Sequence, residues 1–238
     1  MLEGWIMNLF MQDGSSWAYV ASATTGIDGS YTFSGLRAGT YRVEEVMQNG
    51  WVQTEPCEPS HYTVFLKEAD VSNIAFGNKQ EYTYDETAWA ATASGETRFL
   101  SSGNWATYVT YELGSGNAAS PRIYNLYAGQ TYLVGSITVY NDETNLYINY
   151  SIDPTASYQS GYYGIWSLTC AHLAVANNPA EIPRTQNKNG TLGSPIPGKF
   201  ADSNSTGSFC VAIPDDNEGS VVIAAHAELN WSGYEYID

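Results

Sequence analysis

Short runs of alternating apolar and polar residues recur along the chain, and no stretch longer than about ten residues keeps a helical period. Early runs are Tyr31-Thr32-Phe33, Tyr41-Arg42-Val43 and Tyr62-Thr63-Val64-Phe65-Leu66. Later ones cover Trp105 to Leu113, Tyr132 to Tyr140, Leu146 to Ile152, Trp166 to Val175, Phe209 to Ile213 and Val221 to Leu229. Turn formers separate them, among them Asp13-Gly14, Asp28-Gly29, Asn49-Gly50 and Asn189-Gly190. Closely spaced strands joined by polar turns make antiparallel sheets. The pattern predicts an all-β chain of two antiparallel β-sandwich domains in tandem. The boundary is expected near Asn78 to Glu81, giving domains 1–80 and 81–238. The stretch from Asn177 to Asn204 is too long for a hairpin turn and is expected as a surface excursion of the second domain.

Composition narrows the class. The 238 residues include 9 Lys or Arg and 25 Asp or Glu, a formal charge of -16. Residues 1–80 carry 4 basic and 9 acidic side chains, the remainder 5 and 16, so the acidity lies mostly in the second part. Such a field repels a polyanion, which excludes a nucleic-acid binder working by phosphate neutralisation. With 43% hydrophobic and 14% aromatic residues, the chain has the side chains to bury cores and is not a disordered acidic tail. Its longest purely apolar run, Val221 to Ala225, is too short to span a bilayer as a helix. Met1 to Trp5 has no basic or apolar leader region, so a secretion signal is expected upstream. Low Lys content, many Tyr and an acidic pI suggest an extracellular protein. Four Asn-x-Ser/Thr sequons, at Asn149, Asn189, Asn204 and Asn230, are candidate glycosylation sites there.

Cys57, Cys170 and Cys210 form no CxxC pair, which argues against a zinc ribbon. Cys170 and Cys210 both fall in strand-like runs of the second domain and are expected to form a disulfide. It would close a loop worth roughly 3–4 kcal/mol by chain entropy. Cys57 is then the odd thiol, buried or free for an intermolecular bond. Cys170 and His172 share a strand face, as do His226 and Glu228. If those strands were neighbours, four ligand-type side chains would converge. Neither pair has a recognised zinc spacing, so the expectation is no metal, with each His a carbonyl-bonded strand residue. Asp215 to Gly219 lacks the alternating acids of an EF-hand. No Gly-x-Ser-x-Gly elbow, HExxH or phosphate loop occurs, and no catalytic activity is expected.

The first 80 residues carry an ordered set of segments. Gly4-Trp5 opens a strand, Asp28 to Leu36 gives a turn, a strand and a turn, and Ala38 to Glu45 forms the next strand. Gly50 to Thr54 follows, and Ile74 to Asn78 closes. This order resembles the prealbumin-like B-type repeat of prokaryotic surface proteins and collagen adhesins. The resemblance implies a non-catalytic stalk, spacer or binding module. Some such repeats hold calcium in acidic loops, and others crosslink a first-strand Lys to a last-strand Asn with the aid of a buried Glu. Glu45 and Asn78 match the last two partners. The strand that would bear the Lys, and the calcium loop beside it, have no counterpart, since residue 4 already opens the second strand of the repeat. Residues 81–238 resemble a recurring secreted β-module of unassigned activity. Their landmarks are Tyr127 to Gln130 with Val134 to Val139, Trp166 to Leu168, His172-Leu173, Ile196 to Phe200 and Ala224 to Ala227.

These readings point to a structural or assembly protein of a prokaryotic cell surface: an envelope layer, sheath, appendage or adhesin stalk. The runner-up is a carbohydrate-binding adhesin module using exposed Trp or Tyr as sugar platforms. The partners expected are other copies of the chain and, secondarily, surface glycans. The strand from Gly4 to Phe10 is apolar and lacks Lys or Pro. With its neighbour strand absent it is expected at an open edge, making Trp5, Met7 and Leu9 an assembly edge that another chain completes.

Overall fold

The computed structural model describes residues 2–92, 97–156, 162–215 and 219–235, in two compact units, Met1–Tyr82 and Thr83–Asp238. Both are built from antiparallel strands, as the alternation predicts. No helix among the described residues is long and apolar enough to cross a membrane.

In the first unit, β1 (Ile6–Asp13) turns back through Gly14 into β2 (Ser16–Thr24). Gly14 sits at φ 62°, a conformation that glycine adopts without steric cost. β3 (Gly39–Glu45) and β5 (Tyr62–Leu66) complete a sheet in the order β2-β1-β3-β5. β4 (Trp51–Glu55) pairs instead with the first residues of β6 (Gly77–Ala91), a strand that continues into the second unit. Leu9, Tyr41 and Val43 form the buried centre, packed by Tyr31, Phe33, Leu36, Val64, Leu66, Ile74 and Phe76. Tyr31 to Phe33 is not the expected strand. Its aromatics enter the core from an irregular segment, held where the Tyr31 hydroxyl donates to the Ile74 carbonyl at 2.6 Å.

The expected assembly edge is overturned. β1 pairs with β2 on one side and β3 on the other, so both of its backbone faces are used. Trp5, Met7 and Leu9 are 4%, 1% and 2% exposed, because their alternation aims them into the core. On the opposite face the Arg42 guanidinium lies 4.8 Å from the Phe10 ring and 5.2 Å from Trp17. The strands at the ends of this sheet are β2 and β5.

The second unit adds β7 (Val109–Glu112), β8 (Arg122–Ala128), β9 (Tyr132–Asn141), β10 (Asn145–Ile152), β11 (Tyr162–Ala176), β12 (Arg184–Gln186), β13 (Leu192–Pro195), β14 (Asp202–Asn204), β15 (Ser208–Ala212) and β16 (Ser220–Glu235). Its sheet runs β14-β11-β16-β6-β8-β9-β10-β15, with β7 also on β16. The two ends of this order approach each other, since the Tyr150 hydroxyl of β10 donates to the His172 carbonyl of β11 at 3.0 Å. From Val221 to Ala227 every residue of β16 is buried, so this central strand is covered on both faces. One cover is the excursion between β11 and β14, which places Ile182 and Phe200 on Trp89, Ala174, Ala176, Val222 and Ala224. The run expected over Trp105 to Leu113 is a strand only over β7.

Gly164 and Gly233 face each other across β11 and β16. A Cβ on Gly164 would stand 2.3 Å from the Trp231 ring and 2.5 Å from the Ser232 carbonyl. One on Gly233 would stand 2.3 Å from the Tyr163 carbonyl. The paired glycines therefore make the slot that the Trp231 indole fills.

Two outcomes follow for stability. Leu9→Ala is expected to cost about 2–5 kcal/mol in urea unfolding, as a buried-core truncation, whereas an assembly edge would tolerate it. Gly233→Ala is expected to lower the midpoint of the second unit, because the added methyl meets backbone that cannot rotate away.

Candidate functional site

Along β3 the odd-numbered side chains Tyr41 and Val43 point into the first unit's core, and Glu45 comes next on that face by strand alternation. β6 brings Asn78 towards it from the other layer, in register with Gln53 of β4. The Asn78 Nδ2 donates to Glu45 Oε2 at 2.7 Å. The other two polar atoms of the pair, Glu45 Oε1 and Asn78 Oδ1, are buried and have no hydrogen-bond partner. Leaving a buried acceptor unpaired costs roughly 1–3 kcal/mol, so the arrangement carries a penalty that an incoming donor would relieve.

Burial pushes the Glu45 carboxyl above its ordinary value, with the Asn78 bond pulling weakly the other way. Nearby, burial drives the Tyr31 hydroxyl up to about 12, with smaller contributions from Tyr62 and Glu45. A carboxylate with a raised value accepts a proton from a nucleophile more readily than an ordinary one and can then hand it to a leaving group. The two residues that the repeat resemblance singled out, 33 positions apart, are thus in contact and suited to acid–base work on the Asn78 amide. Lys67 and Lys79 are the lysines of this unit. Lys67 Nζ lies over the Phe65 ring at 5.3 Å, and Lys79, next to Asn78 in the strand, points to the opposite face.

Residues 1–80 match the SpaA prealbumin-like fold domain. This domain type occurs typically in cell-surface proteins, and the match covers the unit containing Glu45 and Asn78. No curated protein and no solved structure matches the chain.

The other expected site residues are dispersed. Cys57, Cys170 and Cys210 are all free thiols, so the expected Cys170–Cys210 disulfide is not formed. The reason is topological. β11 carries Cys170 between β14 and β16, while β15 carries Cys210 opposite Tyr147 of β10. Cys57 and Cys210 are exposed. Of the sequons, Asn189 is exposed in the turn after β12, and Asn149 is half-buried on β10. The Nδ2 atoms of Asn204 and Asn230, where a glycan would attach, donate to the Ser208 carbonyl and to Asp85 Oδ1. Asp216, Asn217 and Glu218 of the acidic turn lie outside the described residues. None of the seven Trp is exposed, and the exposed aromatic side chains include Phe65, Tyr19 and Tyr163.

The raised Glu45 carboxyl has a signed consequence. The folded chain holds this proton more tightly than the unfolded chain, so the contribution is fully present below the ordinary value of 4.5. It declines as pH rises from there through the folded value. Glu45→Gln is expected to flatten that decline in thermal melts across the same window, while a wild-type profile already flat there would place the carboxylate in water.

Proposed function

We propose that the chain is a non-catalytic structural protein of a prokaryotic cell surface, and that its first unit is a joint closed by a lysine-bearing strand. The observation that carries this is the buried Glu45–Asn78 contact with one unpaired acceptor on each side chain. A lysine Nζ offers three donors, enough to meet Glu45 Oε1 and Asn78 Oδ1 together. Where a neighbouring copy supplies that strand, strand addition extends a polymer.

The chemistry balances without a cofactor. Glu45 accepts a proton from the lysine ammonium as the freed amine attacks Asn78 Cγ. The tetrahedral centre then collapses as Glu45 returns that proton to the departing side-chain nitrogen and takes the second proton of the attacking nitrogen, which the departing ammonia carries away as ammonium. A lysyl–asparaginyl amide forms, the Asn78 C–N bond breaks, and ammonia leaves. Burial supports each step, because a desolvated amine is a better nucleophile and a carboxylate with a raised value is a stronger proton acceptor. The match of residues 1–80 to the SpaA domain supports the surface location. The sugar-binding alternative has less support, since all the tryptophans are wholly or partly buried.

The test is to mix the purified chain with a short alternating strand peptide that carries one inward-facing Lys. Intact mass should show an adduct equal to the sum of the two minus one ammonia. It should be absent in Glu45→Gln and in Asn78→Ala. A wild-type chain that gives no adduct, even with the peptide in excess and bound, would remove the joint chemistry.

A further inference from the structure

In the second unit the register of β11 and β16 sets Cys170 opposite Glu228 and His172 opposite His226. Directly opposed residues of an antiparallel pair share a face, and so do residues two apart on one strand. The four side chains therefore form a two-by-two array on one face. The same face carries Ala174, Ala176, Val222 and Ala224 under the excursion's Ile182 and Phe200. The array lies where that cover runs out, as exposure records. His226 is 5% exposed, the His172 side chain 13% and the Glu228 side chain 52%. A bulge between Leu168 and Cys170 sets the local register, and the Thr169 hydroxyl pins it by donating to the Glu228 carbonyl at 2.9 Å.

Three donor atoms already converge. One ligand atom each from Cys170, His172 and Glu228 lie within 4.8 Å of one another, and His172 Nε2 stands 3.2 Å from Glu228 Oε1. Zinc holds thiolate sulfur at about 2.3 Å and imidazole or carboxylate atoms at about 2.0–2.2 Å in a tetrahedron, so its ligand edges are roughly 3.3–3.6 Å. The histidine–glutamate edge is thus in place, and only the sulfur has to close in, by about an ångström. The Cys170 Sγ is held by only one weak hydrogen bond among those of the described residues, 3.8 Å to the Ala171 carbonyl.

We propose that Cys170, His172 and Glu228 form a zinc site with its fourth position open to solvent, and that His226 is its positioning residue. One thiolate, one imidazole and one carboxylate suit a borderline divalent ion, whereas calcium and magnesium want oxygen donors alone. Without metal the Cys170 thiol keeps its proton, raised first by burial and then by the Glu228 charge. Zinc reverses that balance, neutralising the carboxylate and displacing the thiol proton to solvent. His226 packs its ring 4.8 Å from Trp89 and 5.5 Å from the His172 ring. Its Nδ1 is buried with no hydrogen-bond partner, a polar atom left over for whatever enters with the metal.

The experiment uses the full 238-residue chain, stripped with a chelator and titrated with zinc against a chromophoric competitor. Native mass spectrometry gives the stoichiometry. One zinc per chain is expected. Cys170→Ser and His172→Ala should each weaken binding by at least about 100-fold, and His226→Ala by about 10–100-fold, the usual range for a residue acting through a ligand. Glu228→Gln, half-exposed and so harmless to folding, should also weaken it. Cobalt loaded in place of zinc should show a thiolate-to-metal charge-transfer band that Cys170→Ser lacks, with circular dichroism confirming that each variant is folded. A wild-type chain that binds no zinc, or binding that survives both Cys170→Ser and Glu228→Gln, overturns the site. A His226→Ala variant of wild-type affinity overturns its positioning role.

Discussion

The backbone pairing of β11 with β16, from Tyr162 opposite Glu235 to Ala176 opposite Val222, is the interaction on which the second unit depends. It decides which residues share a face along both strands. From that one register come the Gly164–Gly233 slot for Trp231, the alanine and valine floor under Phe200, and the Cys170, His172, His226 and Glu228 array. Shifting the register by one residue would move the whole array to the other face. The burial of β16 on both sides makes such a shift prohibitive, since every residue from Val221 to Ala227 is buried.

The first unit obeys the same alternation with a different ending. Inward positions of β3 run Tyr41, Val43 and then Glu45, a carboxyl where an apolar side chain would continue the core. Asn78 meets it from β6, and the pair leaves two buried acceptors, Glu45 Oε1 and Asn78 Oδ1, unsatisfied side by side. Native folds keep such a penalty where it serves chemistry or recognition. The two units thus share a device: each places polar side chains at the margin of an apolar face, desolvated enough to shift their proton equilibria and open enough for something to reach them.

Much of this was legible in the residues. The strands at Tyr132 to Tyr140, Leu146 to Ile152, Trp166 to Val175 and Val221 to Leu229 announced themselves by composition and alternation. Glu45 and Asn78 were legible only through the resemblance of residues 1–80 to a surface repeat, because nothing in their spacing says that they touch. The i, i+2 pairs Cys170/His172 and His226/Glu228 were visible as two halves of an array. The disulfide expectation failed because strand character does not tell which strands adjoin.

What the sequence by itself determined is local: where strands run, where turns fall, and which side chains of one strand lie on the same side, since alternation is a property of the extended backbone. What only the tertiary structure decided is which strands are neighbours and in what register. Trp5, Met7 and Leu9 have the pattern of an exposed apolar edge until β2 and β3 are seen flanking β1. Tyr31 and Phe33 have the pattern of a strand until the Ile74 carbonyl claims the Tyr31 hydroxyl. Pairing joins segments tens to more than a hundred residues apart, and its energy comes from burial and hydrogen bonds made across that distance, for which a local pattern holds no record.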